Sequence, residues 1–345
     1  MDNVKNKPDT APKIKKETKR RIRVDFERTS FWTRFKLKYI SSGFLVSSIF
    51  KIARFLLLVG IAYVILMPFF TKISSSFMSG DDFVDVTVKL IPKYPTLDTY
   101  KAIIKENGYF IALIRTTALS LTCAVMQTFV CALIAYGFAK FKFKGNALLF
   151  GLVILTMVVP HQTLQFSLFM RFRYFDLLGI LNTFNIIPFT KINLLDTYWP
   201  LILISLTGLG FKNGLYVFML RQYFKGVPDE LEESAYLDGY GPVKTFLKII
   251  LPLSVPMLIT VFLFSFSWQW TDNFYTRLFI TGFNTQLMPD IAKVPSLPDP
   301  SIPQGMFEAA ANNASAMLII APLIILYLFC QRFMVQGIER SGITG

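Results

Sequence analysis

Residues 230–252 read ELEESAYLDGYGPVKTFLKIILP. This is an acidic, helix-favouring stretch of soluble character, set between two long apolar runs. Pro228 suits the first position of a helix, where a missing N–H costs nothing. Asp229, Glu230, Glu232 and Glu233 crowd the first turns, where the helix dipole favours negative charge. Leu231, Ala235 and Leu237 or Asp238 recur at helical spacing and predict a short amphipathic helix. Gly239, Gly241 and Pro242 end it. A basic-apolar stretch, Val243 to Ile250, then leads to Pro252 and the next apolar run. A compact acidic helix on a short loop of a lipid-embedded chain is an offer to a soluble partner.

The runs around it are long enough for a bilayer. The chain has 345 residues, 53% hydrophobic and 17% charged, with 35 Phe. A span needs ~20 apolar residues to cross a ~30 Å hydrocarbon core. Six spans are predicted, near 52–71, 109–138, 147–170, 198–220, 253–275 and 314–334, the second long enough to bend or to project past the lipid. The expected fold is therefore an all-α membrane protein. Lys and Arg in the connections set its orientation. Lys140, Lys142 and Lys144 fill one turn, Arg221, Lys225, Lys244 and Lys248 the 221–252 loop, and Arg332 and Arg340 the tail. Segments 72–108 and 276–313 are nearly balanced. The acidic helix and both termini thus face the cytoplasm. A short helix is expected between Pro92 and Asn107. Five prolines between 276 and 313 argue against regular structure there, and 179–197 forms a further outer segment.

The net charge of +14 is concentrated before the first span. Residues 1–38 hold 13 Lys or Arg against 5 acids. Residues 1–50 read as a basic cytoplasmic arm, polar at first, then carrying Phe31, Trp32, Phe35 and Tyr39 among Arg34, Lys36 and Lys38. That interleaving suits a helix at the interface with anionic lipid. No nucleic-acid-binding module accompanies the charge. The arm does not read as a cleavable signal, because its basic region is too long and no small-residue site follows. Cys123, Cys131 and Cys330 lie in apolar runs without CxxC spacing, and one histidine, His161, builds no His-based metal site. No metal, cofactor or catalytic cluster is expected. A membrane enzyme has no nucleophile–base pair to work with. A stand-alone secondary transporter of a small polar solute remains the alternative, although the halves show no repeat.

Polar residues within the spans are the candidates for a pathway. Lys212 falls inside the fourth span, a costly place for a cation, with Gly208, Gly210 and Gly214 beside it and Gln127 at the same depth as a possible partner. It reads either as functional or as a structural lysine at a kink, since Gly210 and Gly214 also favour close helix packing. Arg115, Asp272, Gln162 and Gln165 lie near the outer edge, lining the pathway or joining helices. Trp268, Trp270 and Asn273 suit the face of a sugar ring, or an aromatic belt at the interface. His161 follows Pro160 as a polar group at a proline kink.

Several stretches together resemble one family. Glu233-Ser234-Ala235, Gly239 and then Ile249, Leu251 and Pro252 resemble the EAA loop of ABC-importer permeases, with Ser234 where that family usually has Ala. Tyr136 to Gly145 resembles the YAFARFxFxGR turn of sugar-importer permeases, and Met157-Val158-Val159-Pro160 their MVP segment. Arg221-Gln222-Tyr223-Phe224 resembles RQFF, Trp268 to Asn273 the end of the fifth helix, and Gln331 to Gly337 the closing QRYFVxG. The likeness covers about 52–345, in order, and is to the maltose-permease-like carbohydrate importers. The basic arm is not part of it, and 179–197 is longer than in the maltose-type member.

The resemblance implies a type I ABC-importer permease fold in a bacterial plasma membrane, with the permease domain over 51–345 and a cytoplasmic coupling loop over 226–252. It implies a second homologous permease, two ATP-binding subunits and an extracellular solute-binding protein as partners. The chain has no GxxxxGK[ST] phosphate loop, so the ATPase is expected on another polypeptide. Glu230, Glu233, Ser234, Ala235, Asp238 and Gly239 are then the ATPase-coupling residues. Small Ala235 would admit a close partner surface, Glu230, Glu232 and Glu233 would take partner Arg or Lys, and Gly239 would permit a left-handed turn.

Overall fold

The structure is a computed structural model that describes residues 42–176, 192–210, 212–282, 286–296 and 304–342. The expected interfacial helix, most of the basic arm, most of 179–197 and Pro298, Pro300 and Pro303 lie outside these residues. The described helices are α1 Ser42–Ser75, α2 Gly80–Val84, α3 Asp98–Glu106, α4 Tyr109–Lys140, α5 Asn146–Val158, α6 Gln165–Arg173, α7 Trp199–Leu206, α8 Asn213–Lys225, α9 Glu230–Leu237, α10 Pro242–Leu253, α11 Val255–Trp270, α12 Phe274–Phe279 and α13 Gln304–Gly342. The fold is all-helical, with one isolated antiparallel bridge, Phe175 to Ile192, among the described residues.

The chain divides into two units, 1–67 and 68–345. Within the first, the described part of α1 exposes Phe50, Phe55, Leu56, Leu57, Tyr63 and Val64 alike. A helix apolar on all sides is stable in lipid, not in water. It begins at Ser42, inside the segment expected as arm.

The second unit is organised around α4. At a rise of 1.5 Å per residue its 32 residues extend about 48 Å, longer than the hydrocarbon core. It packs against α7, α8 and α11, and α11 packs against α13. One buried cluster joins Cys131, Ala135 and Tyr136 of α4 to Tyr216, Leu220 and Phe224 of α8, Phe246 and Ile250 of α10 and Val261 of α11. Another joins Leu119 and Cys123 to Phe172, Leu201, Ile204, Tyr275 and Phe279. Trp270 donates its indole N–H to Ile319 O at 3.0 Å and Tyr109 its hydroxyl to Leu318 O at 3.3 Å, tying α11 and α4 to α13. The helix expected before Asn107 is α3. Ahead of it, the buried Asp82 carboxylate accepts from the N–H groups of Lys93 and Tyr94.

Besides the early start of α1, the expected spans differ from the observed helices in four places. The 147–170 span is broken after Val158, and its two parts meet at 98°. Pro160 has no N–H to donate and drives Val159 into an extended conformation, φ −67° and ψ 122°. The 198–220 span is interrupted over 207–212, with Gly208 at φ 75° and Lys212 at φ 64°. Lys212 therefore sits at the break rather than inside a helix. The 253–275 span is divided: α11 starts at Val255, meets α10 at 81° and stops at Trp270, and the separate helix α12 follows. Helix α13 begins at Gln304, ten residues before the expected start, because EAAANNASA has high helix propensity. The expectation of no regular structure over 276–313 is corrected at both ends, where α12 runs to Phe279 and α13 starts at Gln304, and a short 3₁₀ turn lies between them at Met288–Ala292. Three described helices are long and apolar enough to cross a membrane, within Ser48–Ser75, Tyr109–Lys140 and Phe307–Val335. The two bent pairs bring the number to at most five.

Candidate functional site

Two places concentrate the sequence candidates: the loop around α9 and the break between α7 and α8.

Helix α9 is positioned by its ends. Gly239 takes φ 78°, so its N–H bonds Tyr236 O at 3.0 Å while Tyr240 N–H bonds Ala235 O at 2.9 Å. These paired bonds satisfy the last carbonyls and require the left-handed glycine. Ser234 Oγ donates back to Glu230 O at 2.8 Å. Glu230, Glu233, Ser234, Asp238 and Gly239 are exposed.

The buried face of α9 is not the expected one. Leu231 is exposed and Leu237 is 89% exposed, whereas Ala235 and Glu232 are 2% and 7% exposed. Ala235 packs within its own chain and so offers no contact surface to a partner. Glu232 turns inward as well, because a cation waits there. Lys140, the last residue of α4, has its side chain 5% exposed and pairs with Asp229 at 2.6 Å and Glu232 at 3.8 Å. Its ammonium also donates to Val227 O at 2.6 Å. Lys140 thus ties the end of the longest buried helix to the start of α9. The pair sets the two carboxyls apart. The hydrogen bond from Lys140 holds Asp229 below the usual aspartate value, while burial pushes Glu232 above the usual glutamate value. Glu232 Oε1, Tyr136 Oη and Thr245 Oγ1 are buried here without a hydrogen-bond partner among the described residues.

At the second place, Lys212 holds its Nζ 4.9 Å from the Trp268 ring centroid, close enough for a cation–π attraction. Lys212, Asn213, His161, Thr156 and Tyr275 line a cavity of about 540 Å³ together with apolar side chains of α5 and α6. His161 Nδ1 lies 3.2 Å from Tyr275 Oη. Asn213, which the sequence reading passed over, is 4% exposed. Neither its Oδ1 nor its Nδ2 has a hydrogen-bond partner among the described residues.

The other candidates are distributed elsewhere. Gln127 does not serve Lys212. Its Nε2 donates to Ser205 Oγ at 3.0 Å and its Oε1 accepts from Ser265 Oγ at 2.6 Å, which joins α4, α7 and α11. Asp272 accepts from the N–H groups of Phe274, Tyr275 and Thr276 and from the Thr276 hydroxyl, so it caps α12. Trp270 is buried against α13 and has no face for a sugar. Trp268 is half-exposed. Asn273 lines a separate polar cleft of about 260 Å³ with Thr276, Arg277, Asp290 and Lys293. Gln165 is exposed at the start of α6, and Arg115 is half-buried on α4. Among the described residues no cluster of His, Cys, Asp or Glu could hold a metal ion.

Comparison with known proteins places this arrangement. Residues 127–340 match the family model described as binding-protein-dependent transport system inner membrane component. A probable ABC transporter permease protein of Bacillus subtilis, YurM, is 30% identical over 292 residues, 84% of this chain and 86% of its own length. The trehalose transport system permease protein SugB of Mycobacterium tuberculosis is 29% identical, over 74% of this chain and 85% of its own. The galactooligosaccharides transport system permease protein GanQ of Bacillus subtilis is 26% identical, over 84% and 94%. Among solved structures, a chain of a bacterial ABC transporter involved in import of the acidic polysaccharide alginate has the same fold. Its TM-score is 0.62 at 19% identity, covering 84% of this chain and 98% of that one.

Proposed function

The chain belongs to the binding-protein-dependent transport system inner membrane component family, and on that premise we propose that it is the transmembrane subunit of an ATP-driven carbohydrate importer. It supplies half of the translocation pathway. The relatives named for trehalose and for galactooligosaccharides support a carbohydrate as cargo. A second homologous permease supplies the other half, two ATP-binding subunits supply the energy, and an extracellular solute-binding protein delivers the solute. The permease domain is 51–345 of a multi-pass protein of the bacterial plasma membrane. Its termini and the 226–252 coupling loop are cytoplasmic, a reading that rests on the Lys and Arg of the inner connections.

The observation that carries the coupling role is the outward face of α9. Leu237 is 89% exposed beside the exposed carboxylates of Glu230, Glu233 and Asp238, on a helix fixed at both ends. An apolar anchor ringed by charge is what a protein interface needs at its centre. Glu230, Glu233, Ser234, Asp238 and Gly239 are the coupling residues, with Leu237 added. Ala235 contributes by packing α9 onto its own chain. Lys212 and Trp268 are the residues proposed for the pathway, with Arg115, Gln165 and Asn273 nearer its outer end.

The test is reconstitution. Proteoliposomes containing this chain, its companion permease, the ATPase and the binding protein should accumulate a labelled oligosaccharide only with ATP and only with the binding protein. Concentrative uptake by this chain alone, driven by a proton gradient, overturns the reading.

A further inference from the structure

The break between α7 and α8 has the features of a binding site, and its chemistry favours an anion. Helix α8 is 13 residues long and starts at the cavity wall, so the positive end of its dipole lies there. Lys212 stands at that end. It is held in the left-handed region at φ 64°, a conformation unfavourable for a residue with a side chain and one that persists only where the surroundings impose it. The surroundings do so through close packing. A Cβ on Gly210 would come 2.6 Å from Gln127 Nε2, and one on Gly214 would come 2.5 Å from Thr156 Oγ1. The lysine is thus flanked on both sides by glycines packed closely against α4 and α5.

The second observation is Asn213. Its amide is buried at the cavity wall with neither end hydrogen-bonded among the described residues. A buried polar group left unpaired is costly, and a native protein keeps one where a ligand or water completes it. An amide offers a donor and an acceptor together, which matches a sugar hydroxyl or a carboxylate edge. Trp268 sits beside the Lys212 ammonium at 4.9 Å and is half-exposed, so it presents a ring face next to the cation. The cavity volume of about 540 Å³ is within the range of small-ligand sites.

We propose that the α7–α8 break is a subsite for the acidic group of a saccharide, with Lys212 and the start of α8 taking a carboxylate or phosphate and Asn213 a neighbouring oxygen. This rests on the reading of the chain as a solute-conducting permease, and it names the class of solute. A lipid phosphate shares the same chemistry, so the test separates the two.

The assembled permease–ATPase complex, without binding protein, is placed in nanodiscs of phosphatidylcholine. It is titrated with digalacturonate and with neutral galactobiose, following tryptophan fluorescence. Saturable digalacturonate binding at least tenfold tighter than galactobiose is expected. Lys212→Met and the isosteric Asn213→Asp should each weaken it more than tenfold, and Lys212→Arg should keep most of it. Equal affinity for the two sugars, or digalacturonate binding unchanged in Lys212→Met and Asn213→Asp, overturns the proposal. So does phosphatidylglycerol added to the nanodisc that occupies the site and is not displaced by digalacturonate. ATP-driven uptake is read separately with binding protein present. Uptake confined to neutral sugars and indifferent to Lys212→Met would leave the permease reading standing and remove this one. No ATP-driven uptake of any sugar, with Lys212-dependent digalacturonate binding retained, would remove the transport reading and leave only an anion-binding site at the break.

Discussion

Replacing Lys140 by methionine keeps the length of the side chain and removes the charge that holds α9. Its two acidic partners respond differently. The Asp229 side chain is 80% exposed, so water takes over its solvation and little is lost. Glu232 is 7% exposed, and a buried pair broken on one side costs about 3–5 kcal/mol. Protonation sets a ceiling. Neutralising a glutamate whose ordinary value is 4.5 at pH 7 costs about 1.36 kcal/mol per unit, so the charge penalty cannot exceed about 3.4 kcal/mol. At pH 5.5 the same ceiling is about 1.4 kcal/mol. The lost bond to Val227 O adds about 1–2 kcal/mol at either pH. The sign follows from linkage. Glu232 is raised in the folded loop, so the folded loop binds more protons than the open one. Its stability therefore falls as pH rises above about 4.5, and further in the variant, where the cation no longer restrains the rise. Amide exchange of residues 229–240 in the assembled complex measures this directly. Lys140→Met should lose several kcal/mol of protection at pH 7 and regain up to about 2 kcal/mol at pH 5.5. Lys140→Met combined with Glu232→Gln should lose less and show no pH dependence. Native protection in Lys140→Met at pH 7, or a deficit that does not shrink on acidification, refutes the buried-charge account of how α9 is held.

Gly239→Ala should cost about 1–2 kcal/mol in the same exchange experiment, wholly from backbone strain, because nothing lies within 4 Å of the added Cβ; Gly239→Asn should cost less, since asparagine tolerates the left-handed region. Glu233→Lys and Leu237→Asp, both on the exposed face of α9, should leave insertion and thermal stability unchanged and lower ATP-driven uptake, measured as uptake per ATP hydrolysed. Gly214→Val should lower thermal stability by about 1–3 kcal/mol, since its Cβ would meet Thr156 Oγ1 and Val153 O. Gly137→Ala on α4, where nothing lies within 4 Å, should be neutral or stabilise by up to about 1 kcal/mol, read by the same melting assay.

What the sequence made legible is local, and what it hid depends on residues far along the chain. The glycine that ends α9 and the proline that breaks the third apolar run act through their own backbone, so their neighbours suffice to read them. The break at 207–212 left only an ambiguous sign. Gly208, Gly210 and Gly214 read as close-packing residues, which Gly210 and Gly214 are, but the turn itself rests on side chains of α4 and α5. A Cβ on Gly208 would come 3.0 Å from Ile134 Cδ1, and no local pattern announces that. Lys212 therefore looked like a cation inside a helix, and Asn213 like nothing at all.

The facing of α9 is the sharper case. Hydrophobicity alone assigns Leu231 and Leu237 to the core and the glutamates to water, and the structure reverses this for both leucines and for Glu232. The pairing with Lys140 produces the reversal. Glu232 goes inside because Lys140, from the end of α4, supplies a buried counter-charge that sequence neighbours of α9 do not contain. Leu237 stays outside because that same pairing turns the opposite side of α9 inward, and in the proposed coupling role a partner subunit would cover it. A leucine 89% exposed is unremarkable alone. Paired with a glutamate drawn inward one turn away, it means that the helix is oriented by its cation and not by its own apolar residues. The fold has fixed α9 with its anchor pointing out, and that orientation is what a docking helix requires.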